Sequence, residues 1–240
     1  IVDKTDNNYS FLPINRDTMS EVRLIQDDGT GAATAELQLC TAHWYGGNAG
    51  QSCANTVESI SKLFGGLKID GYYAIPMDEI PKLNHSVGGV TVTLLEDFQD
   101  IDRQMKKGET LALSDEQAYH YIHDRYGVGD EKNTSRMKRQ QQYMEAFFTK
   151  AKEKAKSDKA YVSQLFRKFE QTATTNLTAK KISGLTNRLI KVTQKGFFEI
   201  QGTSKIGKAL GDGIDHAEFY PDKKSIIDVM TKIYGLKKRE

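Results

Sequence analysis

The chain has 240 residues, with 34 Lys and Arg against 32 Asp and Glu, giving a formal charge of +2. That balance excludes a dedicated polyanion binder, which carries a marked basic excess, and 38% hydrophobic against 28% charged residues excludes a disordered chain. No run approaches the roughly 18 apolar residues of a membrane span, while the length is enough for one large core.

The predicted elements follow in chain order. Residues 10–14 read as a short strand closed by Asn15-Arg16-Asp17-Thr18, and 22–26 as a second strand before the turn at Asp27-Asp28-Gly29. A loop at 46–50 leads to a helix over 53–64, with Val57, Ile60 and Phe64 at helical spacing and Gly65-Gly66 as its stop. Residues 72–76 read as a strand. Asp78 caps a short helix carrying Ile80 and Leu83, with Pro81 tolerated in its first turn. Residues 87–94 read as turn then strand. Ser114 with Gln117 three residues on fits a capping box, opening a helix that runs through Tyr121 into His123-Asp124-Arg125. After a polar loop at 127–133, the spacing predicts a helix over 135–156 with Met137, Met144, Phe148 and Ala151 on its buried stripe. Further helices are predicted over 158–172 and through Ile182, Leu185, Leu189 and Val192. Strands are predicted at 197–200 and 217–220, then a last helix capped by Asp222 and stopped by Gly235. The alternation predicts one α/β domain over 1–240, a central mixed β-sheet covered by helices on both faces.

The densest chemical signal is Asn133-Thr134-Ser135-Arg136-Met137-Lys138-Arg139-Gln140. No acid lies between Lys132 and Gln142. Cations at a helix start oppose the macrodipole, whereas a bound anion would reverse that cost, and arginine forks fit phosphate oxygens. Arg136 and Arg139 share a face, with Gln140 one turn from Arg136. The competing reading is a solvated charged face. His120 and His123, followed by Asp124, have a spacing that could chelate a metal, although no second cluster accompanies them. Arg16-Asp17 ends a strand, where ligands bind in open α/β sheets, or forms a surface ion pair. Cys40 and Cys53 are either small core residues or partners in a disulfide closing a short loop, and their spacing leaves both open. No nucleophile elbow, Walker loop or dinucleotide fingerprint is present.

Several segments together resemble the LytR-CpsA-Psr family of bacterial cell-wall proteins. They are Leu12-Pro13-Ile14-Asn15-Arg16-Asp17-Thr18, His43-Trp44-Tyr45-Gly46-Gly47, Thr56-Val57-Glu58, Asp70-Gly71-Tyr72-Tyr73 and Gly88-Gly89-Val90-Thr91-Val92. Asp115-Glu116-Gln117-Ala118, His123-Asp124-Arg125 and Ser135-Arg136-Met137-Lys138-Arg139-Gln140 follow in the family's order. The resemblance is close over about residues 1–150.

The resemblance implies an extracytoplasmic domain on an N-terminal membrane helix, expected to precede Ile1, at the outer face of the bacterial cell membrane. It implies transfer of a phosphate-linked glycopolymer from a polyprenyl pyrophosphate lipid to peptidoglycan, with the lipid in an apolar tunnel and Mg²⁺ at the pyrophosphate. A polyprenyl-phosphate binding module without turnover is the alternative. Nucleic acid is not an expected partner. By motif position Arg16, Arg125, Arg136 and Arg139 are the catalytic head-group arginines, and Asp17, His123 and Gln140 bind substrate. The four arginines are expected to converge on one pocket mouth, and loss of Arg136 or Arg139 to leave the ligand-free fold intact. An extracytoplasmic home also implies a Cys40–Cys53 disulfide. Three departures stand out: the acidic metal-binding motif is expected upstream of this chain, His123 stands where the family usually has arginine, and Gln38-Leu39-Cys40 replaces the usual Lys-Ile-Asn.

Overall fold

The computed structural model describes residues 1–235. In chain order its elements are β1 (Val2–Asp3), β2 (Asn8–Phe11), β3 (Met19–Ile25), β4 (Gly31–Gln38), α1 (Ala49–Leu63), β5 (Tyr73–Ala74), α2 (Ile80–Val87), β6 (Thr91–Thr93) and β7 (Thr110–Ala112). There follow α3 (Asp115–His123), α4 (Asn133–Ser157), α5 (Tyr161–Lys168), β8 (Thr174–Thr175), α6 (Ala179–Leu189), β9 (Thr193–Phe197), β10 (Gly202–Gly207), β11 (His216–Pro221) and α7 (Lys223–Tyr234). This is the mixed α/β class that the alternation predicts. Two compact units share the described residues: Ile1–Ala74, Thr174–Leu177 and 193–235 form one, Ile75–Ala173 and Thr178–Val192 the other. No described helix is long and apolar enough to cross a membrane.

In the first unit, β2 pairs antiparallel with β1 and parallel with β9, a mixed three-stranded sheet. The turn at Asp27-Asp28-Gly29 joins β3 and β4 into a hairpin, with Asp28 Oδ1 accepting from Thr30 N at 2.8 Å. Helix α1 packs on this hairpin. Its buried Asn55 donates from Nδ2 to the carbonyls of Arg23 and Ala42, both at 2.9 Å, so one amide ties helix, strand and the following turn. Strands β10 and β11 pair antiparallel, and Gly235 closes α7 in the left-handed region at φ 63°.

The second unit has the larger apolar cluster, built from Val90, Val92, Leu94, Phe98, Leu113, Tyr121, Tyr143 and Phe147 among others. Asn84, fully buried, bonds Leu113 O at 3.0 Å and Asp115 Oδ1 at 2.9 Å, and accepts from Val90 N at 2.9 Å. It thereby fixes α2 against the start of α3. Ser114 accepts from Gln117 N at 3.1 Å while Gln117 Oε1 accepts from Ser114 N at 2.9 Å, the predicted capping box.

Helix α4 buries a stripe shifted from the predicted one: Phe148 and Ala151 pack partly buried against the apolar cluster, but the fully buried positions lie elsewhere. Arg139, Tyr143, Phe147 and Ala155 face inward, four or eight residues apart, and Met144 is exposed. The inward face passes through Arg139 because the guanidinium finds acceptors inside.

Candidate functional site

A helix leaves its last carbonyls without intrahelical donors. Helix α3 ends at Asp124, whose extended backbone breaks the helical path. Side chains from the first two turns of α4 supply donors to these carbonyls. Arg139 donates from Nη1 to Tyr121 O and from Nη2 to Asp124 O at 2.5 Å. Gln140 donates from Nε2 to Ile122 O at 2.9 Å, and Arg136 from Nη1 to His123 O at 3.4 Å. Four successive carbonyls thus accept from three side chains of one motif. Cations that oppose the dipole of α4 lie at the negative end of α3, where they are favourable.

The structure departs here from the expectation for Arg139. This side chain is 1% exposed and faces protein on every side. Its Nε lies 2.7 Å from Glu96 Oε2, and its guanidinium carbon 4.9 Å from the Phe98 ring centroid. Burial pushes the guanidinium down from its ordinary pKa, with Glu96 pulling it back up. Tyr121, beneath it, is pushed up to about 12, chiefly by burial. Arg139 is therefore a positioning residue and is not free to touch a ligand.

Arg136 is half-buried. Its Nη2 donates to Asn133 Oδ1 at 2.6 Å. The start of α4 is also less starved of anions than its own sequence indicates. Asp130, just upstream, accepts from Lys132 N at 3.0 Å, and hydrogen bonds from Ser135 and Lys132 hold its carboxyl below the usual range.

His123 is exposed and ends α3. Its Nδ1 lies 2.8 Å from Asp124 Oδ1, and His120 Nδ1 lies 2.6 Å from Asp124 Oδ2. Tyr119 stacks on His123, centroids 4.8 Å apart. Partial burial raises the Asp124 pKa, but hydrogen bonds from His123 and His120 outweigh it and leave the net value lowered. The two histidines share one carboxylate. Among the described residues no group of three or more His, Cys, Asp or Glu could hold a metal ion.

Arg125 follows directly. Its guanidinium lies over Tyr126, 4.5 Å from the ring centroid, with Nη2 donating to the phenol oxygen. Its Nε is buried and makes no hydrogen bond. Tyr126 is 76% exposed.

In the other unit, Asn15 Oδ1 accepts from Asp17 N at 2.9 Å and folds the turn that presents Arg16. The exposed Arg16 guanidinium has Nε 3.7 Å from Asp17 Oδ1 and Nη2 3.7 Å from Cys40 Sγ. The expected Cys40–Cys53 disulfide is not formed. Both thiols are free, Cys40 facing Arg16 and Cys53 buried within α1, where burial pushes its thiol pKa up.

The structure therefore brings Arg136, Arg139, Gln140 and His123 together at the end of α3, with Arg125 next in the chain. Sequence reasoning missed Asp124 as the shared partner of two histidines and Glu96 as the partner of Arg139. For Asp124 the signal was local, since His120 and Asp124 are four apart on a helix. Glu96 had none.

Residues 1–233 match the model of the LytR_cpsA_psr family. Among solved structures, TagV of B. subtilis is 20% identical, with a TM-score of 0.71 over 98% of this chain and 87% of that one. A protein described as a transcriptional regulator from Enterococcus faecalis is 19% identical, with a TM-score of 0.71 over 99% and 82%. TagT of B. subtilis is 18% identical, with a TM-score of 0.65 over 98% and 83%. One TagT structure is bound to LI-WTA. Likeness at these identities is likeness of fold. No curated protein matches the chain.

Proposed function

Because the chain belongs to the LytR-CpsA-Psr family, whose members are cell-envelope transferases of wall glycopolymers, we propose that it moves a phosphate-linked glycopolymer from a polyprenyl pyrophosphate carrier to a hydroxyl of peptidoglycan. The reaction would take place at the extracytoplasmic face of the membrane, with the lipid chain in an apolar tunnel. TagT in complex with LI-WTA supports a glycopolymer as the substrate class.

The observation that carries the reading is the accessible end of α3, where Arg125, Arg136 and His123 stand together over main-chain carbonyls already capped by α4. Phosphoryl transfer needs positioning and neutralisation of charge on phosphate oxygens, and guanidinium groups supply both. The contact of Arg136 with His123 O is long at 3.4 Å, so a phosphate oxygen can replace it with a shorter charge-assisted bond. The Arg125 guanidinium lies over the exposed ring of Tyr126. Gln140 and Arg139 keep the carbonyls of α3 in place. Any Mg²⁺ would be held largely by the donor's own phosphates.

The test is release of polyprenyl monophosphate from a polyprenyl pyrophosphate-linked glycopolymer in the presence of peptidoglycan, with donor affinity measured separately. Arg136→Ala is expected to weaken donor binding by about 1.5–3 kcal/mol, the worth of a hydrogen bond to a charged group. Unchanged donor affinity in Arg136→Ala and Arg125→Ala would overturn the assignment. Donor binding without release would leave a lipid-binding module.

A further inference from the structure

We propose that His123 is the general base of this transfer and that Asp124 positions it. The inference rests on the transferase reading above and names the group that takes the acceptor's proton. At 2.8 Å from an ionised carboxylate, which can only accept, Nδ1 must carry the hydrogen. Nε2 is then the basic nitrogen, on a ring that is exposed, and no described residue bonds to it. Tyr119, stacked at 4.8 Å and 17°, fixes the plane of that ring. His120 engages the second oxygen of Asp124 at 2.6 Å, so the carboxylate cannot swing away. A carboxylate that orients one imidazole nitrogen and leaves the other free beside arginines is the geometry of a base next to an anion site.

The step balances without a redox partner. The acceptor hydroxyl oxygen bonds to the phosphorus that carries the glycopolymer, and the bond from that phosphorus to the bridging oxygen breaks. The lipid leaves as polyprenyl monophosphate, and the hydroxyl proton passes to His123 Nε2. The imidazolium formed is stabilised by Asp124 and by the C-terminal end of α3.

The charged groups around the ring are few. Helix α3 presents His120 and Asp124, the next loop Arg125, and α4 Arg136 and Arg139, the last neutralised by Glu96. The charges of α2 and the turn before it engage elsewhere: Lys82 with Glu79 at 2.8 Å, and His85 with Asp115 at 3.2 Å.

A simpler role is that His123 is one more cation for the pyrophosphate, and arginine would serve that role better. The experiment compares His123→Gln, His123→Arg, Asp124→Asn and Asp124→Asn combined with His123→Gln, all in the full chain. It measures kcat and KM for monophosphate release across about pH 5 to 8, where imidazole titrates, with donor binding and melting temperature alongside. Both His123 variants are expected to lose about 10²–10⁴-fold in kcat, the usual worth of a positioned base. They should also lose the fall in rate at the acid end of the profile, while donor binding and melting temperature hold. Asp124→Asn should lower kcat, and the double variant should be no slower than His123→Gln, since Asp124 acts through His123. Wild-type rates in His123→Arg, or an acid limb that survives both His123 changes, would overturn the proposal. Turnover that is indifferent to His123 defeats this inference alone. A wild-type chain that binds no donor defeats the transferase reading as well.

Discussion

Arg139 shows how far a residue's role can lie from the sign of its charge. Removing it leaves Glu96 as a carboxylate without its cation and takes donors from Tyr121 O and Asp124 O. Arg139→Met is therefore expected to cost about 3–5 kcal/mol, the range for breaking a buried pair by removing one partner. Arg139→Lys should recover little, because a single ammonium cannot reach three acceptors set for a planar fork. Urea unfolding checks both, and an unshifted midpoint for Arg139→Met would contradict the packing described. Asp124 carries a pH dependence of its own. Its carboxyl is lowered in the fold, so the folded state releases this proton more readily than the unfolded chain. The resulting stability is present above the ordinary aspartate pKa of about 3.9 and is lost as pH falls through that value toward the folded one. Melting temperatures followed downward from about pH 5 should fall more steeply for the wild-type chain than for Asp124→Asn.

Among the elements, the capping box of α3 was read correctly because both partners lie within one turn, whereas Asp78 does not cap α2, which starts after Glu79 with no side-chain cap. Ser114 and Gln117 are three apart, and Ser114→Ala is expected to cost about 1 kcal/mol in denaturant unfolding. Pro81 at the start of α2 and Gly235 past the end of α7 belong to the same class, since each acts through its own backbone. Strand β4 was not legible. Its Gly-Ala-Ala-Thr-Ala-Glu-Leu-Gln has weak β propensity, and it is a strand because it pairs with β3 from Met19↔Gln38 onward. The strand predicted at 197–200 instead covers Thr193–Phe197, its register taken from parallel pairing with β2. The candidate site divides in the same way. The Arg-x-x-Arg-Gln spacing marked a shared helix face, but the carbonyls it bonds lie 13 to 18 residues upstream. No sequence pattern marks a main-chain acceptor.

For the molecule as a whole, the family was recognisable from short motifs in the first 150 or so residues, while the match extends to residue 233. Beyond residue 150 the spacing predicted α5, α6 and α7 as helices, but no motif there carried the family. Stability within the second unit should be uneven. Helices α5 and α6 contain no fully buried residue, whereas α3 and α4 share Tyr121, Tyr143 and Phe147 with the main apolar cluster. Amide exchange is expected to be fastest in α6 and α5 and slowest in α3 and the middle of α4, because local opening follows the apolar contacts it must break. Equal protection across these four helices would contradict the burial pattern.

The lock between α3 and α4 has an evolutionary consequence. It reads oxygen atoms that every amino acid carries, and it is blind to the side chains of positions 123 and 124. Those positions can therefore be rewritten one at a time without rebuilding the scaffold that aims them. A histidine can occupy one of them without disturbing the joint, while drift at Arg139 would be purged as misfolding. Lineages built on this joint should accordingly diversify in what they transfer sooner than in how they fold.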